Sequence, residues 1–318
     1  MFSIYKTKSM QLIKRNTPLP IYLKNRENVT WRVPSLFHYD DIIFLLLDDL
    51  KQLGIKPTIN SVYGSVKTSW GGGRPSGWPD VEKKAAESTI HRHNENQTSC
   101  CFTFSNYHIT KEDLEDKTAN LLLEVASEGS FQNYAIVSSD LLADYIREKF
   151  PKIKLISSVL KPIYEIENFQ DTPQYYNDLC KRFDRVTLRP ELSFDYNFLK
   201  KLTNKDKIDL IVNQDCLPNC PLYRKHYDFY SEVERGIKQR SEDFCHLEKR
   251  KVEAVYNTSL LSNQDMDKMI QLGFKNFKLK GRSLTKSQVI DLLGYYIFEP
   301  SGLYQNLKYR IILKVLGP

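Results

Sequence analysis

A chain of 318 residues that is 41% hydrophobic and 27% charged can bury a sizeable core as one large domain or two ordinary ones. Its longest apolar run, Ile42 to Leu47, falls far short of the ~20 residues a bilayer span needs, and its basic N-terminus lacks the apolar core and cleavage site of a signal peptide, so a cytoplasmic protein with no membrane partner is expected. Six cysteines do not make a disulfide scaffold, which in a reducing cytosol points clustered thiols toward metal or reactivity, and a net charge of +7 spread along the chain leaves room for an anionic partner such as RNA or phosphate without requiring one.

In chain order, short β-rich runs begin at Val29, Ile59, Ser99, Asn133, Lys154, Asp184, Ile208 and Asn276. Amphipathic helical patterns lie between them, among them 40–54, 111–129, 140–150, 195–202 and 263–273. Alternation of this kind predicts parallel strands joined by helical crossovers. Eight such units predict a (β/α)8 TIM-like barrel as a single domain over 26–318, with residues 1–25 as an N-terminal extension and a closing segment after Phe298. Long connections are expected at Val66–Asn96, after strand two, and Cys216–Val255, after strand seven. An open doubly wound sheet is the alternative, but no GxGxxG follows the first strand and no P-loop occurs. Cys100 and Cys101 share a strand and must face opposite ways, and Cys180 reads as the core of a helix.

Barrel active sites lie at the carboxyl ends of the strands. The polar residues expected there are His38 after strand one, Trp70 and Arg74 after two, Asn106 after three, Ser138 and Ser139 after four, Ser158 after five, Arg189 and Glu191 after six, Asn213 and Asp215 after seven, and Lys280 and Arg282 after eight. Arg74, Arg189, Lys280 and Arg282 would converge on one mouth, where a carboxylate, phosphate or nucleotide backbone finds charge-assisted hydrogen bonds. Glu191 is the expected acid or base, since a carboxylate among arginines stays ionised. Trp70 and Trp78 flank a glycine run and would stack on a base or close a lid, or belong to a merely irregular loop. Ser138 and Ser139 read better as helix caps, and His91 and His93 as a solvated helix end. There is no GxSxG elbow and no HExxH.

The stretch CLPNC puts Cys216 and Cys220 on one short turn, and Cys245 follows in the same long connection. Three thiolates and one further ligand suit an iron–sulfur cluster; with His226 or His246 they suit zinc; and free, partly buried thiols are the third reading.

Several segments together resemble the collagenase-like peptidase family U32: VYGSVKTSWGGGR, TFSN, YAIVSSDLLADYIREKFPKIKLISS, FDRVTLRPEL, IDLIVNQDC and GFKNFKLKGR, covering about Asn60 to Arg282. The resemblance implies a divergent barrel. It also implies either a peptidase or an oxygen-independent hydroxylation factor for tRNA, ribosomal RNA or a quinone precursor, several of which carry a four-cysteine iron–sulfur cluster; Cys216, Cys220 and Cys245 would then be ligands. The family's usual second cysteine pair is not evident. The expectation is therefore an enzyme with a cysteine-bound metal, iron–sulfur before zinc, acting on an anionic substrate. A peptidase, or a non-catalytic RNA-binding or accessory barrel with a protein partner, is the alternative.

Overall fold

The computed structural model describes residues 28–52, 59–72, 82–214, 216–239, 259–281 and 284–297; the expected extension over 1–25 and the closing segment after Phe298 lie outside them. Seven strands come first: β1 Thr30–Pro34, β2 Ile59–Gly64, β3 Ser99–Phe104, β4 Tyr134–Val137, β5 Lys154–Ser157, β6 Arg185–Thr187 and β7 Ile208–Ile211. A short antiparallel ribbon follows, β8 Asn213–Gln214 with β9 Ser259–Leu260, and then β10 Asn276–Lys278. β10 pairs in parallel with β7 on one side and β1 on the other, closing the order β1-β10-β7-β6-β5-β4-β3-β2 into a (β/α)8 barrel. These barrel strands are the runs expected from the sequence, each beginning within one residue of its expected start.

The surrounding helices are α1 Asp40–Gln52, α2 Lys83–Glu95, α3 Lys117–Glu128, α4 Asp140–Lys149, α5 Leu160–Glu165, α6 Pro173–Arg182, α7 Tyr196–Lys200, α8 Tyr223–Glu234, α9 Asn263–Gln271 and α10 Lys286–Tyr296. The starts of α3, α4, α6, α7, α9 and α10 are set by short polar side chains that accept a first-turn N–H: Asp116, Ser139, Thr172, Asp195, Ser262 and Thr285. The helix expected over 111–129 is split for this reason. Asp116 leaves the helical region (φ −57°, ψ 109°) to cap α3, and the residues before it form a 3-10 turn, Glu112–Glu115.

Strand alternation sorts the side chains into two environments. Val62, Phe102, Ala135, Leu155, Val186, Leu210 and Phe277 face the helices and belong to one continuous apolar core; each large member contributes ~1.5–3 kcal/mol of burial before entropy is charged against it. Tyr63, Cys101, Ile136 and Ile156 form a separate, smaller cluster inside the barrel. Cys100 and Cys101 divide between the two, as their adjacency required, and Cys180 is buried on α6.

The interior is also charged. Arg32 on β1 and Arg185 on β6 grip separate oxygens of the Asp209 carboxylate on β7. Burial alone would raise the Asp209 pKa, but Arg185, Arg32 and Lys278 outweigh it and hold the carboxyl below the usual range. On the outside, His93 corrects an expectation. It is fully buried rather than solvated, its Nε2 lying 2.6 Å from Asp40 Oδ1 in the first turn of α1, whereas His91 is exposed. No helix among the described residues is long and apolar enough to cross a membrane.

Candidate functional site

The carboxyl ends of β6, β7 and β10 carry their alternation one step past the last barrel rung. Leu188, Val212 and Leu279 stay in the outer core, so Arg189, Asn213 and Lys280 turn to the barrel mouth. A pocket of about 90 Å³ opens there. Charge reaches it from Arg189, Glu191, Lys278 and Lys280, aromatic surface from Tyr63, Tyr223 and Tyr227, and apolar surface from Val159, Leu160, Ile163 and Ile211. Three of the sequence-predicted residues, Arg189, Glu191 and Lys280, are thus brought together.

Arg189 is buried and closely held. Its Nη1 donates to Asp171 Oδ2 at 2.7 Å, its Nη2 donates to Asn219 Oδ1, and its Nε lies 3.6 Å from Glu191 Oε2. The guanidinium also covers the Phe169 ring at 4.5 Å. Asn219, in the left-handed region at φ 51°, donates its own N–H to Glu191 Oε1 at 3.2 Å and so ties the CLPNC turn to the same group. Burial raises the Asp171 pKa, and the pull of Arg189 and of the Tyr176 hydroxyl, 2.8 Å away, does not fully reverse it. One arginine is therefore shared between two carboxylates. Lys278 and Lys280 bring further positive charge; Lys278 Nζ lies 4.3 Å from the Tyr63 ring centroid and Lys280 Nζ lies 3.8 Å from Cys216 Sγ.

Other predicted residues are engaged in holding loops. Asn213 Nδ2 donates to the Lys280 carbonyl and Asn213 Oδ1 accepts from the Lys280 N–H, both at 2.7 Å. Asn106 binds the Ser69 and Trp70 carbonyls and accepts from the His108 N–H, fastening the loop after β2 to that after β3. Gly72 makes this approach possible: a Cβ there would stand 2.6 Å from Asn106 Cα, at a φ of +156°. Trp70 is fully buried, its Nε1 donating to Asp113 O at 2.5 Å and its ring set edge-on to Phe104 and Tyr145. Arg74, Trp78, Asp215, Arg282, Cys245 and His246 lie outside the described residues.

Cys216 and Cys220 both belong to the apolar cluster of Leu160, Ile163 and Tyr223 beside the pocket, and no described cysteine forms a disulfide. His226 is buried on α8 against Tyr227 and Tyr230. Among the described residues no group of three or more His, Cys, Asp or Glu could hold a metal ion. These residues therefore do not by themselves make a metal site, and a three-cysteine set requires Cys245.

Sequence reading missed Lys278, Tyr63, Tyr223, Tyr227 and Asp171. Counting two residues back from Lys280 would have found Lys278; Asp171 gives no such signal, because its partner lies 18 positions away across a helix. A second missed group flanks the pocket. His108 Nε2 lies 2.7 Å from Asp228 Oδ1, the Tyr164 hydroxyl donates to the same oxygen at 2.9 Å, and Tyr107 stacks on Tyr164 with ring centroids 4.3 Å apart.

A closed eight-stranded barrel with its pocket at the carboxyl ends of the strands is the architecture of (β/α)8 proteins. The sequence matches no protein-family model and no curated protein. Among solved structures, the U32 peptidase Mk0906 is similar to this chain with a TM-score of 0.54 at 12% identity, covering 85% of this chain and 98% of that one. At that identity the likeness is one of fold, and it agrees with the distant U32 resemblance of the sequence.

Proposed function

We propose that this protein is a U32-like barrel enzyme that acts on an anionic substrate at the mouth of the barrel. The observation that carries the reading is the pocket itself, where Lys278, Lys280, Arg189 and Glu191 converge with three tyrosines at the carboxyl ends of the strands. Lys280 pairs with the substrate's charge, and Arg74 and Arg282 complete the basic rim. Glu191 is the acid or base, positioned by Arg189 and the Asn219 N–H. Cys216, Cys220 and Cys245 together hold a metal, iron–sulfur before zinc, and the reaction is an RNA modification or an oxygen-independent hydroxylation. A peptidase is the second reading, favoured by the name of the structural neighbour.

Turnover on peptides and on RNA, both assayed without oxygen, separates these readings, and an accessory barrel would turn over neither while co-purifying with a partner. RNA binding would weaken steeply with salt as counterions are released, whereas a small substrate would bind with little salt dependence. Iron, sulfide and zinc content of anaerobically prepared protein, with single Cys→Ser variants alongside, tests the metal. Retention of metal in Cys245→Ser would remove that residue from the set.

A further inference from the structure

Inside the barrel, two guanidinium groups share one carboxylate. Arg32 and Asp209 have side chains 1% exposed and Arg185 16%, and both arginines grip Asp209. Arg32 Nε donates to Ser61 Oγ at 3.3 Å. Arg32 Nη2 and Arg185 Nε, however, are buried and meet no acceptor. The other groups bearing on the cluster are Lys278, the register partner of Arg32 on β10, the Cys101 thiol and the Tyr134 hydroxyl; Cys101 and Tyr134 are register partners on β3 and β4. In neutral form both can donate. Counting Lys278, the layer therefore sets three positive charges against one carboxylate, with an excess of donors. Water could satisfy the orphaned N–H groups but not the charge, and an uncompensated buried charge is the costlier of the two.

We infer that the barrel interior binds a small monovalent inorganic anion of the halide class, held by Arg32 and Arg185 with Cys101 and Tyr134 as further donors. It offsets part of the excess positive charge and gives the orphaned donors an acceptor. Tyr63, Ile136 and Ile156 crowd the rest of the interior, which favours a monatomic ion over an organic one. The site lies below the mouth pocket, whose lining includes neither arginine but shares Tyr63 and Lys278 with the interior.

Bromide is the probe. Crystals grown with sodium bromide in place of chloride should show an anomalous peak at hydrogen-bonding distance from Arg32 Nη2 and Arg185 Nε. In solution, the melting temperature should rise saturably by about 3 °C in chloride relative to gluconate at equal ionic strength. Arg185→Gln, which removes one of the ion's two guanidinium ligands and keeps the Arg32–Asp209 pair, should lose that rise while remaining folded. Ordered water with no anomalous peak, or equal melting in the two salts, overturns the inference. A peak without the solution effect is binding at crystal concentration only and also overturns it. So does a thiolate absorbance near neutral pH that disappears in Cys101→Ser, since the thiol would then carry the second negative charge itself.

Discussion

In the barrel interior Arg32 and Arg185 divide one carboxylate, Asp209, between them; at the mouth Asp171 and Glu191 divide one guanidinium, Arg189. Both groups are buried, yet their aspartates shift in opposite directions. Burial pushes each carboxyl up, and at Asp209 the combined pull of Arg185, Arg32 and Lys278 overrides it. Asp171 has a single arginine to oppose its burial and feels the repulsion of Glu191 as well, so its pKa stays raised. The ratio of partners, more than depth of burial, decides the sign. It also decides what each region can offer a ligand, because Arg189 is already matched at the mouth whereas the interior is over-supplied with positive charge.

Removing the shared carboxylate should have the largest effect. Asp209→Ala leaves two buried guanidiniums facing each other and is expected to cost about 3–5 kcal/mol, read by urea denaturation; a loss under ~1 kcal/mol would show that the interior group does not hold the barrel together. At the mouth, Arg189→Ala strands two carboxylates, but one of them can take up a proton. The expected cost is about 2–3 kcal/mol at pH 7, with part of it recovered at pH 5. An equal cost at both values would deny Asp171 its raised pKa.

The two aspartates should also give opposite pH slopes. Asp209 titrates lower when folded, so the stability it contributes is present above the unfolded value of about 3.9 and is lost as pH falls through the folded value. Asp171 titrates higher when folded, so its ionisation withdraws stability as pH rises through that value. The cost of Asp209→Asn should accordingly shrink only below about pH 3.9, while that of Asp171→Asn already grows by pH 4, which parallel melts at pH 7, 4 and 3 would test. The smallest effect on stability belongs to Lys280→Ala. The side chain is half-buried, and its loss should cost less than ~1 kcal/mol while weakening an anionic ligand about tenfold in a binding titration. Unchanged affinity would move the ligand's charge away from this lysine.

The barrel was legible because period-two runs and capping residues are local signals, and both survive in the structure down to the starts of the strands. The interior ion group was not. Asp209 sits in IDLIV as one polar residue in an apolar run, and its partner Arg32 is 177 positions away, so nothing local marks the pair. The candidate site was legible in part. Strand ends placed Arg189, Glu191 and Lys280 at the pocket, but the same rule selected Trp70, Asn106 and Asn213, whose hydrogen-bonding groups tie neighbouring loops. Position at a strand end says that a side chain reaches the rim; only the neighbours say whether it is already occupied there.

One consequence of the Asn213 clasp concerns how the barrel wall divides. Val212 donates its N–H to the Lys278 carbonyl in the barrel, while its own carbonyl accepts from the Leu261 N–H beside the ribbon. A single residue thus belongs to two sheets, and beyond it the main chain runs with Ser259–Leu260 instead of with the strand it has just left. The side-chain amide of Asn213 presents the same donor and acceptor pair as a peptide group, so it supplies a final rung to Lys280 from a backbone that has already turned away. The wall can therefore fork without unzipping. Aspartate, nearly the same shape, keeps the acceptor and forfeits the donor, and would leave the fork held on one side only.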